Sequence, residues 1–107
     1  MTDFIFVYIT ASSEEEAERI GRVLVDEKLA ACVNIIPGMR SIYRWQGSME
    51  EAHEVVIIAK TMRAQFDGVE ARVKSMHSSE NPCIVALPIE MGSEDFLSWL
   101  RRSVFGA

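Results

Sequence analysis

A mixed α+β domain of order βαββαβα, carrying one overlong β-hairpin, is what this 107-residue sequence predicts. Three observations carry that prediction. Period-two apolar runs alternate with apolar stripes at helical spacing. The stretch Leu29–Gly47, LAACVNIIPGMRSIYRWQG, reads as one strand interrupted once at Pro37-Gly38. It leads straight into a return strand, Glu50–Thr61. At roughly 3.3 Å per residue, Ala31–Gln46 spans about 50 Å, whereas a domain of this length has a diameter of only about 33 Å. The hairpin must leave its own domain, and another copy of the chain is the most economical cover for it.

The elements follow in order. Phe4–Thr10 is apolar and β-rich, a first strand. Ser13 with Glu16 three residues on makes a capping box, and Glu14 and Glu15 suit the positive end of a helix dipole. Ala17, Ile20, Gly21 and Leu24 continue that helix to about Lys28. In the long strand Ala31, Val33 and Ile35 point one way, and Cys32, Asn34 and Ile36 the other. Pro37-Gly38 marks a bulge or bend, since proline cannot donate a ladder hydrogen bond. Beyond it Ser41, Tyr43 and Trp45 share a face, and Gln46–Met49 forms the turn. Val55–Ala59 is apolar on both faces, as a central strand requires. Ala64–His77 is a second helix with Phe66, Val69, Val73 and Met76 in one stripe. Cys83–Leu87 is a fourth strand, and Ser93 caps a last helix bearing Phe96, Trp99 and Leu100. Two βα crossovers around a hairpin build the split βαβ, or ferredoxin-like, sheet. Helices are expected on one face of it, leaving the other to be buried by association.

Bulk properties exclude several classes. The length fits one domain, residues 1–107. A net charge of -5 argues against nucleic acid, which needs a basic face. An RNA-recognition module shares the strand order but needs stacking aromatics, and Val55-Val56-Ile57-Ile58 supplies none. The apolar run Val55–Ala59 is far too short for membrane insertion. The N-terminus has no basic segment or apolar core, so no signal peptide is expected. Two cysteines, Cys32 and Cys83, make no disulfide framework, and the expected compartment is the cytoplasm.

Candidate chemistry is sparse. His77 ends the second helix, where an imidazolium is favoured and a loop exposes it. With Glu80 it makes an HxxE pair able to serve a metal or an anionic ligand; the plainer role is helix capping. Cys32 and Cys83 read first as small hydrophobes, with no CxxC for a zinc knuckle or copper chaperone. Lys60 is a strand-end charge, or an anion ligand if a cleft faces it. Tyr43, Arg44 and Trp45 read first as packing on a neighbouring subunit and second as an interaction surface. His53 among Glu50, Glu51 and Glu54 reads first as a solvated strand-end histidine and second as a weak cation site. Phosphate loops and hydrolase or kinase signatures are absent. An acylphosphatase-type enzyme needs an arginine in its anion loop, and Ile9–Ser13 has none.

The runs KLAACVNIIPGMRSIYRWQG, AKT and KSMHSSENPCIVALPI, followed by FLSWL, closely resemble the CutA divalent-cation tolerance proteins. The resemblance covers Val7 to Leu100 and implies a ferredoxin-like subunit in a tight homotrimer, similar to the PII signalling proteins. It implies a non-enzymatic protein that binds copper or other divalent metals, no cofactor being required. The loop after the second helix keeps His77 and Glu80 of the family pattern but has Ser78-Ser79 where proline and tyrosine are common. The copper ligands of the family fall by alignment on Ile9, Met76 and His77. Ile9 offers no donor atom and Met76 only a thioether, which weakens that site. The inter-subunit cleft implied by the resemblance draws on Cys32, Trp45, Lys60, His77 and Glu80, for a metal ion or a small anion.

Overall fold

The computed structural model describes residues 2–106. Its elements are β1 (Phe4–Ala11), α1 (Glu14–Asp26), β2 (Cys32–Trp45), β3 (Ser48–Met62), α2 (Phe66–Met76), β4 (Ile84–Pro88) and α3 (Glu94–Phe105). A 3-10 turn at Arg63–Gln65 replaces the first residues of the expected second helix. The strands lie in the order β2-β3-β1-β4, every pair antiparallel, which is the ferredoxin-like arrangement the element order implies.

Strand periodicity sorts the side chains. Ile5, Val7, Ile9 and Ala11 of β1 share a face with their partners Thr61, Ala59, Ile57 and Val55 of β3. That face forms one core with Ala17, Ile20 and Leu24 of α1 and Val69 and Val73 of α2. Fully burying each larger aliphatic side chain contributes about 1.5–3 kcal/mol. Ser13 Oγ accepts from the Glu16 N–H at 3.1 Å, so α1 starts where expected. At its end Lys28 takes the left-handed position, φ 59°, that glycine commonly fills. Gly21 lets α1 approach β2 closely: a Cβ there would meet Val33 Cγ2 at 2.8 Å.

The long hairpin is present. Its register shifts between Ile36 and Met39, and Gly38 adopts φ 84°, so Pro37-Gly38 is a bulge inside a continuous strand. The turn is tighter than the expected Gln46–Met49. Trp45 pairs with Ser48, leaving Gln46 and Gly47 at φ 50° and 84° in a two-residue turn. The hairpin stretches the molecule to 47 × 25 × 23 Å.

One expectation is corrected. The helices do not all cover one face. Met62 and Phe4 alternate onto the face opposite the main core, where they pack with Leu100 and Val104 of α3 and with Ala31. The α3 stripe thus closes one end of the second face. The rest stays open, with Ile36 48%, Val85 49% and Leu87 41% exposed.

Candidate functional site

The foot of the hairpin arm and the loop after α2 enclose a concavity of about 780 Å³. Tyr8 and Thr10 of β1 form its floor, Met39 to Trp45 of β2 one wall, and His77, Ser79 and Cys83 the other. Tyr8 Oη donates to Met39 Sδ at 3.3 Å, fixing the thioether against the floor. Burial, reinforced by the nearby Glu54 carboxylate, pushes the Cys83 thiol up, away from the nucleophilic thiolate. Arg40 is paired with Glu51, whereas Arg44 forms no ion pair among the described residues.

His77 is not exposed, contrary to the reading of it as a loop-displayed imidazole. Its side chain is 4% exposed. The Ser79 N–H donates to Nδ1 at 2.9 Å, which leaves the ring proton on Nε2. Nε2 then donates to the Thr10 carbonyl at 2.7 Å. Both ring nitrogens are engaged by backbone groups.

Behind the ring lies a residue that sequence reasoning placed only in a local cap. Glu16 Oε1 accepts from Ser12 N at 2.9 Å and Ser12 Oγ at 3.1 Å, and Oε2 accepts from Ser78 N at 2.8 Å. Oε1 is 3.9 Å from His77 Nε2. The carboxylate therefore joins the start of α1 to the loop after α2. Burial raises its pKa, but the hydrogen bonds from Ser12 and Ser78 outweigh burial and hold it at about 2.

The other expected site residues are divided. Trp45 lines the concavity with His77. Met76 packs against the main core and Ile9 is fully buried in it. Cys32 and Lys60 face each other in register towards the α3 end of the sheet, outside the concavity. Lys60 Nζ lies 5.6 Å from the Phe96 ring centroid. Burial raises the Cys32 thiol, and Lys60 opposes that shift. Glu80 is exposed and makes no hydrogen bond or ion pair among the described residues. His53 is exposed opposite Arg40. Among the described residues no three His, Cys, Asp or Glu side chains stand close enough to hold a metal ion. No helix among them is long and apolar enough to cross a membrane.

A four-stranded antiparallel sheet with two helices on one face, a third at one end of the other and an extended β2–β3 arm defines a ferredoxin-like α+β protein with a cleft at the foot of the arm. The chain belongs to the family described as CutA1 divalent ion tolerance protein, whose model matches residues 5–103. The "Divalent-cation tolerance protein CutA" of Archaeoglobus fulgidus is 50% identical over 99 residues, covering 92% of this chain and 96% of that one. The protein of the same description from Thermus thermophilus is 50% identical, covering 91% and 94%. The solved structure of "Cut A1" from Thermus thermophilus superposes with a TM-score of 0.93 at 48% identity, covering 94% of this chain and 98% of that chain. The Archaeoglobus structure, titled a "Periplasmic divalent cation tolerance protein CutA", gives a TM-score of 0.92 at 50% identity, with the same coverage.

Proposed function

We propose that this chain is a homotrimeric, non-enzymatic binding protein of divalent-cation tolerance, with its ligand sites in clefts between subunits. The observation that carries this reading is the uncovered half of the sheet together with the arm. Ile36, Val85 and Leu87 are exposed apolar side chains on the two outer strands of that face, and Ile42 at 66% and Met49 at 78% exposure stand on the arm beyond the body of the chain. Wrapping arms around neighbouring sheets covers both sets with one symmetric operation. It would also close over a concavity whose floor and two walls one chain already builds. His77, Met39 and Cys83 supply nitrogen and sulfur donors beside it, and a neighbouring chain would complete a ligand set that one chain lacks. A small anionic ligand is the second reading, favoured by Arg44, which lines the concavity and forms no ion pair among the described residues.

Sedimentation equilibrium at micromolar concentration tests the assembly. A species of three times the 12.1 kDa chain mass is expected, and a monomer would overturn the reading. Titration with Cu(II), Cu(I) and Zn(II), repeated on His77→Ala, tests the metal site. Weaker binding in the variant is expected, and unchanged affinity removes His77 as a ligand.

A further inference from the structure

We infer that Glu16 is a positioning residue that latches the loop after α2 and keeps the His77 imidazole unavailable to ligands in the resting protein. Three chain segments meet at this point. Thr10 lies just before the end of β1 at Ala11, Ser12 and Glu16 flank the N-cap of α1, and His77–Ser79 follow α2. The Glu16 carboxylate is the shared acceptor: one oxygen serves the Ser12 N–H and O–H, and the other serves the Ser78 N–H. With Ser78 held there, the Ser79 N–H falls 2.9 Å from His77 Nδ1 and occupies the lone pair that a cation would need. The other nitrogen carries its proton towards the Thr10 carbonyl. Ser12 Oγ and Ser78 Oγ, 3.2 Å apart, close the latch on its outer side.

The arrangement is over-built for a helix cap. A capping box sends the third-residue carboxylate back to the N-cap N–H; here it reaches one residue further, to Ser12, and across to a loop 62 residues away in sequence. The 77–79 segment forms one side of the concavity, so releasing it would both widen that cleft and free Nδ1 towards it. The inference deepens the metal reading above and rests on it for the nature of the ligand. The latch itself stands on hydrogen bonding alone.

Glu16→Gln is the informative variant, because a carboxamide has one acceptor oxygen where the latch uses two. Either the Ser12 or the Ser78 donor must then face an NH₂ group. Native-state hydrogen exchange and ¹⁵N spectra of the His77 ring read the latch, and Zn(II) titration reads its consequence. In the parent protein the ring should show the Nε2–H tautomer, with protected Ser78 and Ser79 amides. In Glu16→Gln exchange at those amides should quicken about tenfold or more, as loss of a buried charged acceptor implies. The Val7 and Ile57 amides of the central strands should keep their protection. The His77 signals should move towards averaged tautomers, and Zn(II) affinity should rise, a gain removed by adding His77→Ala. Unchanged exchange at Ser78 and Ser79, or equal acceleration throughout the sheet, would overturn the latch. A loosened loop with a freed ring but no gain in Zn(II) affinity would keep the latch and overturn the metal reading at His77.

Discussion

The Glu16 carboxylate is 3% exposed yet held ionised, with its pKa lowered to about 2 from an ordinary value of 4.5. Its stabilisation is therefore fully present above pH 4.5 and lost as the pH falls towards 2. A shift of that size corresponds to about 3 kcal/mol at neutral pH. Urea denaturation of the parent protein and Glu16→Gln should show a stability gap at pH 7 that narrows below pH 4.5 and nearly closes by pH 2. A gap independent of pH would mean that shape, not charge, makes the contribution. Two glycines test packing at the same scale. A Cβ on Gly21 or on Gly68 would stand 2.8 Å from a neighbouring carbon, Val33 Cγ2 in the first case and Leu29 Cδ2 in the second. Val33 is β-branched and its strand is fixed by the sheet, so Gly21→Ala should cost about 1–3 kcal/mol by overpacking. The leucine methyl is the far end of a flexible chain and can rotate away. Gly68→Ala should then be neutral or gain up to about 1 kcal/mol from helix propensity. Thermal melts of the two variants should diverge in that direction.

At the scale of elements, the hairpin turn is under-optimised. Gln46 and Gly47 both have positive φ, as a type I′ turn requires, and Asn-Gly is the pair that turn favours. Gln46→Asn should stabilise the arm by a few tenths of a kcal/mol to about 1, read as slower amide exchange at Trp45 and Ser48. Faster exchange would mean that Gln46 makes compensating contacts. The arm was legible in the sequence because strand length is additive in residues, and Pro37-Gly38 announces its own bulge. Ser13 and Ser93 announced the starts of α1 and α3 for the same reason: the signal and its effect lie within three residues, and both hydroxyls accept the expected N–H. The side of the sheet taken by α3 was not legible. Phe96, Trp99 and Leu100 reveal an apolar stripe but not which face receives it, and that choice depends on the path of the 89–93 connection. The site was legible only in part. His77 and Trp45 do meet, but the imidazole is satisfied by the Thr10 carbonyl and the Ser79 N–H, groups every residue carries and no motif marks. Cys32 and Lys60 left the cleft because strand register places them at the opposite end of the sheet, a long-range property absent from local pattern.

At the scale of the whole molecule, α3 covers only one end of the second face of the sheet. It seals the end around Met62, Leu100 and Val104, and the residues left exposed on that face are Ile36 on one outer strand, β2, and Val85 and Leu87 on the other, β4. Exposed apolar side chains of this kind on a 107-residue chain are costly in water, and association would remove that cost. If the trimer buries them, a charge placed there should separate the subunits without disturbing the main core, because Val85 and Leu87 point away from Ile9 and Val7 in the β1–β4 register. Val85→Glu should sediment as a monomer at micromolar concentration. The parent protein should also melt at a temperature that rises with protein concentration, and the variant should lose that dependence, since linkage to assembly vanishes when assembly does. His77 then supplies a control within the same experiment. Its ring is held by its own chain, so the tautomer and the protected Ser78 amide should survive in the monomeric variant. A trimer that persists with glutamate at 85 would move the subunit contact off the open face and onto the arm alone.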